Sequence, residues 1–136
     1  MFLVDTNVIS EARKGAKADP GVQAFLLATG EEDLYLSVQT IGELRQGVER
    51  MRARGDLPQA RILETWLESI LNQYADRIIN FDHECAEVWG KLMAPHSQNP
   101  IDKQIAAIAL IHDLTVVTRN TDDFEGAGAT LMNPFA

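Results

Sequence analysis

Phe2-Leu3-Val4-Asp5-Thr6-Asn7-Val8-Ile9 stands at the start of the chain and sets its architecture. The three apolar residues Phe2–Val4 read as a short buried strand, with Asp5-Thr6-Asn7 at its carboxyl end. Val8–Arg13 follows as a helix start that Thr6 or Asn7 could cap. The same alternation continues along the chain. Val22–Thr29 reads as a helix and Leu34–Ser37 as a second strand. Val38–Arg54 carries Ile41, Leu44, Val48 and Met51 at helical spacing. Gly47 inside it costs about 1 kcal/mol relative to Ala and suggests close packing. Gly55-Asp56-Leu57-Pro58 breaks the chain before a helix over Gln59–Ala75, which makes a helical hairpin with the one before. Arg77–Phe81 reads as a third strand. Asp82 can cap a helix running to Met93, Pro95–Pro100 is a loop, and Ile101–His112 is a very apolar helix. Leu114–Val117 and Ala129–Met132 are the last strands. Strands alternating with helices predict an α/β fold with a mainly parallel sheet.

The length of 136 residues fits one domain, 1–136, able to build a core without disulfides or metals as staples. A composition of 46% hydrophobic and 24% charged residues excludes a largely disordered or collagen-like chain. The net charge of −8 disfavours coating of duplex DNA, but leaves room for an enzyme that places cations between its own carboxylates and a phosphate. Cys85 is the single cysteine, so no internal disulfide or cysteine zinc cluster forms. The N-terminus lacks a basic region followed by an apolar stretch, and no apolar run approaches the length of a membrane span. These features predict a soluble, cytoplasmic protein.

Four places carry candidate chemistry. Asp5 follows a buried strand, where ligands gather in open parallel sheets, and a carboxylate there can hold a hard cation. Glu43 lies one turn into the helix after the second strand. Asp102 begins the apolar helix at Ile101. Thr118-Arg119-Asn120-Thr121-Asp122-Asp123 follows the strand ending at Val117. Each has a plain structural explanation: helix capping for Asp5, Thr6 and Asn7, a favourable helix dipole for Asp102, a solvent-facing acid for Glu43, and a polar loop closing on Phe124. Their joint placement at strand ends and helix starts is more specific than any one of them. His83, His96 and His112 share no metal-ligand spacing, and no Gly-x-Ser-x-Gly, Walker or Gly-x-Gly-x-x-Gly motif is present. Five arginines between positions 45 and 61, Arg45 first among them, could track an RNA backbone, line a solvated face or meet an acidic partner.

Asp5-Thr6-Asn7-Val8-Ile9-Ser10-Glu11, Glu43-Leu44-Arg45-Gln46-Gly47, Pro100-Ile101-Asp102 with Ile105-Ala106-Ala107, and Val117-Thr118-Arg119-Asn120 with Asp123-Phe124 resemble the PIN-domain family. The nearest likeness is to the VapC toxins of type II toxin–antitoxin pairs, in their FitB-like branch, and Leu131-Met132-Asn133-Pro134-Phe135 fits that branch too. The resemblance spans nearly the whole chain. It implies a three-layer fold with a parallel sheet and a Mg²⁺- or Mn²⁺-dependent endoribonuclease, in which a metal-activated water attacks the phosphodiester. It also implies a homodimer that joins a VapB-like antitoxin. By the motif match, Asp5, Glu43 and Asp102 form the acidic metal site. Thr6, Asn7, Thr118 and Asn120 support it, and Arg45 and Arg119 are the candidate RNA contacts. Many PIN domains place a fourth acid where this chain has Asn120. Asp123, fixed beside Phe124, is the expected replacement in preference to Asp122, with capping of the following turn as its alternative role. Two other functions compete: a catalytically silent PIN-like RNA- or protein-binding module, and a phosphoryl-transfer enzyme with Asp5 as nucleophile. Phosphatases of the latter type carry a second Asp where this chain has Asn7.

Overall fold

The computed structural model describes residues 1–136. Its five strands are β1 (Phe2–Val4), β2 (Leu34–Ser37), β3 (Ile78–Ile79), β4 (Thr115–Val117) and β5 (Leu131–Met132). Its six α-helices are α1 (Thr6–Ala12), α2 (Pro20–Ala28), α3 (Val38–Ala53), α4 (Leu57–Gln73), α5 (His83–Met93) and α6 (Pro100–His112). The strands form one sheet in the order β3-β2-β1-β4-β5, and every pairing is parallel. β1 is therefore central. The chain passes to β2 on one side of it and later returns to β4 on the other. This change of direction opens a crevice at the carboxyl end of β1.

Successive strand residues face opposite sides, so β1 feeds two cores. Val4 and Val117 join Val8, Val22, Leu36, Leu44, Val48 and Leu67 on the side covered by α1 to α4. Leu3 and Val116 join Cys85, Ile105, Ile108 and Phe124 on the side of α5 and α6. Helices on both faces complete the three layers. They also explain why the strands are short apolar runs rather than alternating ones. No helix is long and apolar enough to cross a membrane.

Several boundaries differ from the sequence expectation. The first helix begins at Thr6, so its cap is Asp5, whose carboxylate accepts from the Thr6 N–H at 2.8 Å. α2 begins at Pro20 because Asp19 caps it. α4 begins at Leu57 because Asp56 caps it and Pro58 is tolerated in a first turn. Only Ile78–Ile79 of the stretch 77–81 and Leu131–Met132 of 129–132 pair as strands, since both lie at sheet edges and meet one neighbour only. Gly47 does not serve close packing, because a Cβ built there meets nothing within 4 Å. Close packing occurs instead at Gly21, where a Cβ would lie 2.2 Å from the Pro134 carbonyl oxygen. The missing side chain lets the C-terminal segment cross the start of α2, where the Ala136 N–H reaches Asp19 at 3.0 Å.

Candidate functional site

Three strand ends deliver the polar residues of the crevice. β1 ends at Asp5, which is only 5% exposed. Its backbone N–H continues the sheet to the Val117 carbonyl at 2.9 Å, which fixes where the carboxylate begins. Oδ1 is held by the Thr6 N–H. Oδ2 accepts from the Thr118 hydroxyl at 2.8 Å and from Asn7 Nδ2 at 3.3 Å. Thr118, fully buried at the end of β4, joins these groups. Its hydroxyl donates to Asp5 and accepts from Asn7 Nδ2 at 3.3 Å and from the Asn120 N–H at 3.0 Å. Asn7 in turn accepts from the Arg119 N–H at 3.1 Å, which orients its amide.

β2 supplies the other wall. Ser37 caps α3 by accepting from the Thr40 N–H at 3.2 Å, and so brings Glu43 round to the crevice one turn later. The Thr6 hydroxyl donates to Glu43 Oε1 at 2.6 Å and lies 3.2 Å from the buried Thr40 hydroxyl. Much of Glu43 is open to solvent along the helix, while its carboxylate end is drawn against Thr6. Asp102 sits half-buried in the first turn of α6. Asp123 is half-buried and Asp122 exposed on the short 3₁₀ turn Thr121–Phe124, which the buried Phe124 pins to the core. The Asp123 N–H bonds to the Asn120 carbonyl at 3.0 Å. The Asp123 carboxylate caps nothing, and the Asn120 side chain makes no cap bond either.

The electrostatics show that these acids share one field. Burial raises Asp5 above the ordinary carboxylate value. The Thr118 hydroxyl and the Thr6 N–H pull it back, and the Asp123 charge adds to the rise. Glu43 is raised first by withdrawal from water and also by Asp5, against the Thr6 hydroxyl. Asp102 is pushed up to about 6, by burial first and then by the charges of Asp5, Asp123 and Glu43. None of the chain's ion pairs reaches any of the four acids. Four acids outside any ion pair, with the Lys103 charge alone opposing the rise of Asp102, form an all-oxygen donor set suited to a hard cation. No three acidic, histidine or cysteine side chains close tightly enough to enclose an ion unaided.

Residues 2–129 match the PIN domain. The chain belongs to the PIN-domain family. It is 38% identical to the VapC ribonuclease Y4jK of Sinorhizobium fredii, with 99% of this chain and 98% of that protein covered. It is 37% identical to Toxin FitB of Neisseria gonorrhoeae, with 99% of each covered. The FitAcB crystal structure from Neisseria gonorrhoeae superimposes with a TM-score of 0.86 at 37% identity, over 98% of each chain. The PIN domain thus lies within the VapC and FitB toxin branch, and the three-layer parallel fold is the one those relatives share.

Of the sequence candidates, Asp5, Thr6, Asn7, Glu43 and Thr118 meet through direct hydrogen bonds, and Asp102 and Asp123 enter the same field. Asn120 takes part through its backbone. Arg45 lies outside these bonds: it pairs with Glu64 of α4 at 2.6 Å and with Glu49 of its own helix at 3.4 Å, and stays partly exposed. Arg119 is exposed at the rim, 4.6 Å over the Phe135 ring and outside any ion pair. Sequence reasoning missed Thr40. The spacing Ser37-x-x-Thr40 at a strand-to-helix junction was its available signal, since a capping serine places that residue at the mouth of the crevice.

Proposed function

We propose that this PIN domain is the toxin of a type II toxin–antitoxin pair and cleaves RNA endonucleolytically with Mg²⁺ or Mn²⁺. The observation that carries the reading is the convergence of Asp5, Glu43, Asp102 and Asp123, none of them in an ion pair: burial first, and then the charges of the other three, raise Asp102 to about 6 against the pull of Lys103. When bound, the cation supplies water activation and charge stabilisation at the phosphate oxygens. Asp5, Asp102 and Glu43 hold it. Thr118 and Asn7 fix the Asp5 carboxylate, and Thr6 fixes Glu43. Arg119 offers a free cation at the rim to the RNA backbone. Cleavage of single-stranded RNA that is lost in EDTA and restored by Mg²⁺ or Mn²⁺ tests the reading. Metal-independent binding without cleavage would favour a silent module instead.

Asp123 serves as the fourth acid, acting from behind the ligands. Its charge is among the main causes that raise Asp5 and Asp102, and that of Asp122 is not. Asp123→Asn is expected to lower the cleavage rate about tenfold or more, on the scale of outer groups that orient metal ligands. Asp122→Asn should leave it within about twofold. A damaging Asp122→Asn beside a silent Asp123→Asn would reverse the assignment.

The partner is a VapB-like antitoxin, a reading supported by the toxin names of the relatives. The apolar faces of α3 and α4 are mostly spent on each other and on the core. The seat left for a partner is an apolar groove of about 330 Å³ lined by Ile9, Leu26, Trp66, Ile70 and Tyr74. The toxin itself pairs as a homodimer, which light scattering at tens of micromolar checks: a monomer there would remove the claim.

A further inference from the structure

Beside the acidic crevice lies a second cavity of about 290 Å³, at the lower end of the range for small-ligand sites. Leu92 and Pro95 are the only apolar side chains among its lining residues. Asp123 forms part of its wall, so it adjoins the metal-site field. Lys103, one residue past Asp102 on α6, also lines it, yet Lys103 is only 8% exposed. Buried lysines normally sit against a carboxylate; this one forms no ion pair within 4 Å and meets the neighbouring Asp102 only through a longer-range attraction. Its ammonium makes a single protein hydrogen bond, to the Gln98 carbonyl, and has three donors to place. Lys91 and His96 add exposed basic groups to the lining, and Asp122, Asp123 and Glu125 add acidic ones.

We propose that this cavity is a nucleotide subsite, in which Lys103 with Lys91 holds a phosphate of the RNA next to the one being cleaved. The proposal rests on the nuclease reading for its place in the reaction. The mixed lining selects the ligand class. Asp122 and Glu125 repel a bare anion, but they accept from the N–H groups that a nucleobase presents on its edge. A whole ribonucleotide satisfies both the basic and the acidic groups of the lining, and inorganic phosphate satisfies only the basic ones. Lys103 is a positioning residue here, since it holds substrate away from the reacting atoms.

The test needs no catalysis. Each of the four ribonucleoside 5′-monophosphates, and inorganic phosphate separately, is titrated into the full-length protein in EDTA and followed by backbone amide NMR. At least one nucleotide should shift the amides of Gln98–Lys103 and Asp122–Gly126 at millimolar concentration, and phosphate should not. Lys103→Gln should weaken that nucleotide about tenfold or more, the scale of one lost charged hydrogen bond. Lys91→Gln, on the exposed rim, should weaken it in the same direction and covers the case in which Lys103→Gln fails to fold. Nucleotide affinity kept in both variants, with a lowered melting temperature in Lys103→Gln, would show that the lysine only ties α6 to its preceding loop. Equal shifts from phosphate, or none from any nucleotide, would overturn the subsite. Failure of RNA cleavage in metal would count against the nuclease reading alone, because this titration does not depend on it.

Discussion

Asp5→Asn is expected to cut metal-dependent RNA cleavage by more than about a hundredfold, since groups that merely orient metal ligands already cost about 10–100-fold. The protein should stay folded. Asn serves as well as Asp at a helix N-cap, so the bond to the Thr6 N–H survives. The Thr118 hydroxyl can rotate to suit an amide. What disappears is a charge that burial already disfavours. Its loss should also be visible at a distance: the Asp5 charge is the first charged contributor to the elevation of Asp102. In Asp5→Asn the Asp102 carboxyl should therefore titrate below its value of about 6, measured by carboxyl-carbon NMR in EDTA. Cleavage at the wild-type rate would remove Asp5 from the chemistry. A phosphorylated Asp5 in the wild type would point to phosphoryl transfer instead.

The layers of the fold were legible because they follow from local signals. Apolar runs of three or four residues ended by capping acids and hydroxyls marked most strand ends, and Phe2–Val4 was placed without error. The edges were less legible. Nothing local distinguishes Arg77–Phe81 from the two residues that actually pair, because pairing depends on a neighbour strand far away in sequence. At the site, the motifs bring forward Asp5, Glu43 and Asp102, but their environment comes only from the fold. Thr118 contacts Asp5 across 113 positions and Asn7 across 111. Arg45 shows what a motif position leaves out: its pairing with Glu64 on the facing helix is set by the packing of the hairpin rather than by the motif. Lys103 gave no signal because a lysine after an acid in a first helical turn looks like surface until its burial is known.

Without metal, the protein should be more stable at pH 5 than at pH 7.5, and Mg²⁺ should erase most of that difference. Asp102 is raised from 3.8 to about 6 in the folded state. Between those values the native protein keeps a proton that the unfolded chain has released, so stability falls as pH rises through the window and levels off above it. Asp5 and Glu43 are raised as well and act in the same direction. For Asp102 alone the loss over the whole window is on the order of 3 kcal/mol at most, at about 1.4 kcal/mol per pH unit, and roughly half of it falls between pH 5 and 7.5. In a chain of this size that half amounts to roughly 5 °C in melting temperature at most. Below about pH 4 the trend reverses. Asp19 is held below the ordinary value by the Ala136 N–H and Asp82 by the Cys85 N–H, and both lose that stabilisation when protonated. Ligand carboxylates must be ionised, so the cation competes with the same protons and its effect grows from pH 5 to 7.5. At about a hundred times its Kd it adds about 2.7 kcal/mol, enough to offset the repulsion it relieves. Asp102→Asn should flatten the EDTA profile, raise its value at pH 7.5 and blunt the response to Mg²⁺. Thermal melts across pH 4.5–8, in EDTA and in Mg²⁺, separate these effects. A melting temperature at pH 7.5 that ignores Mg²⁺ and Mn²⁺, or an EDTA profile that climbs from pH 5 to 7.5, would mean that the four acids do not share the field on which the proposed metal site rests.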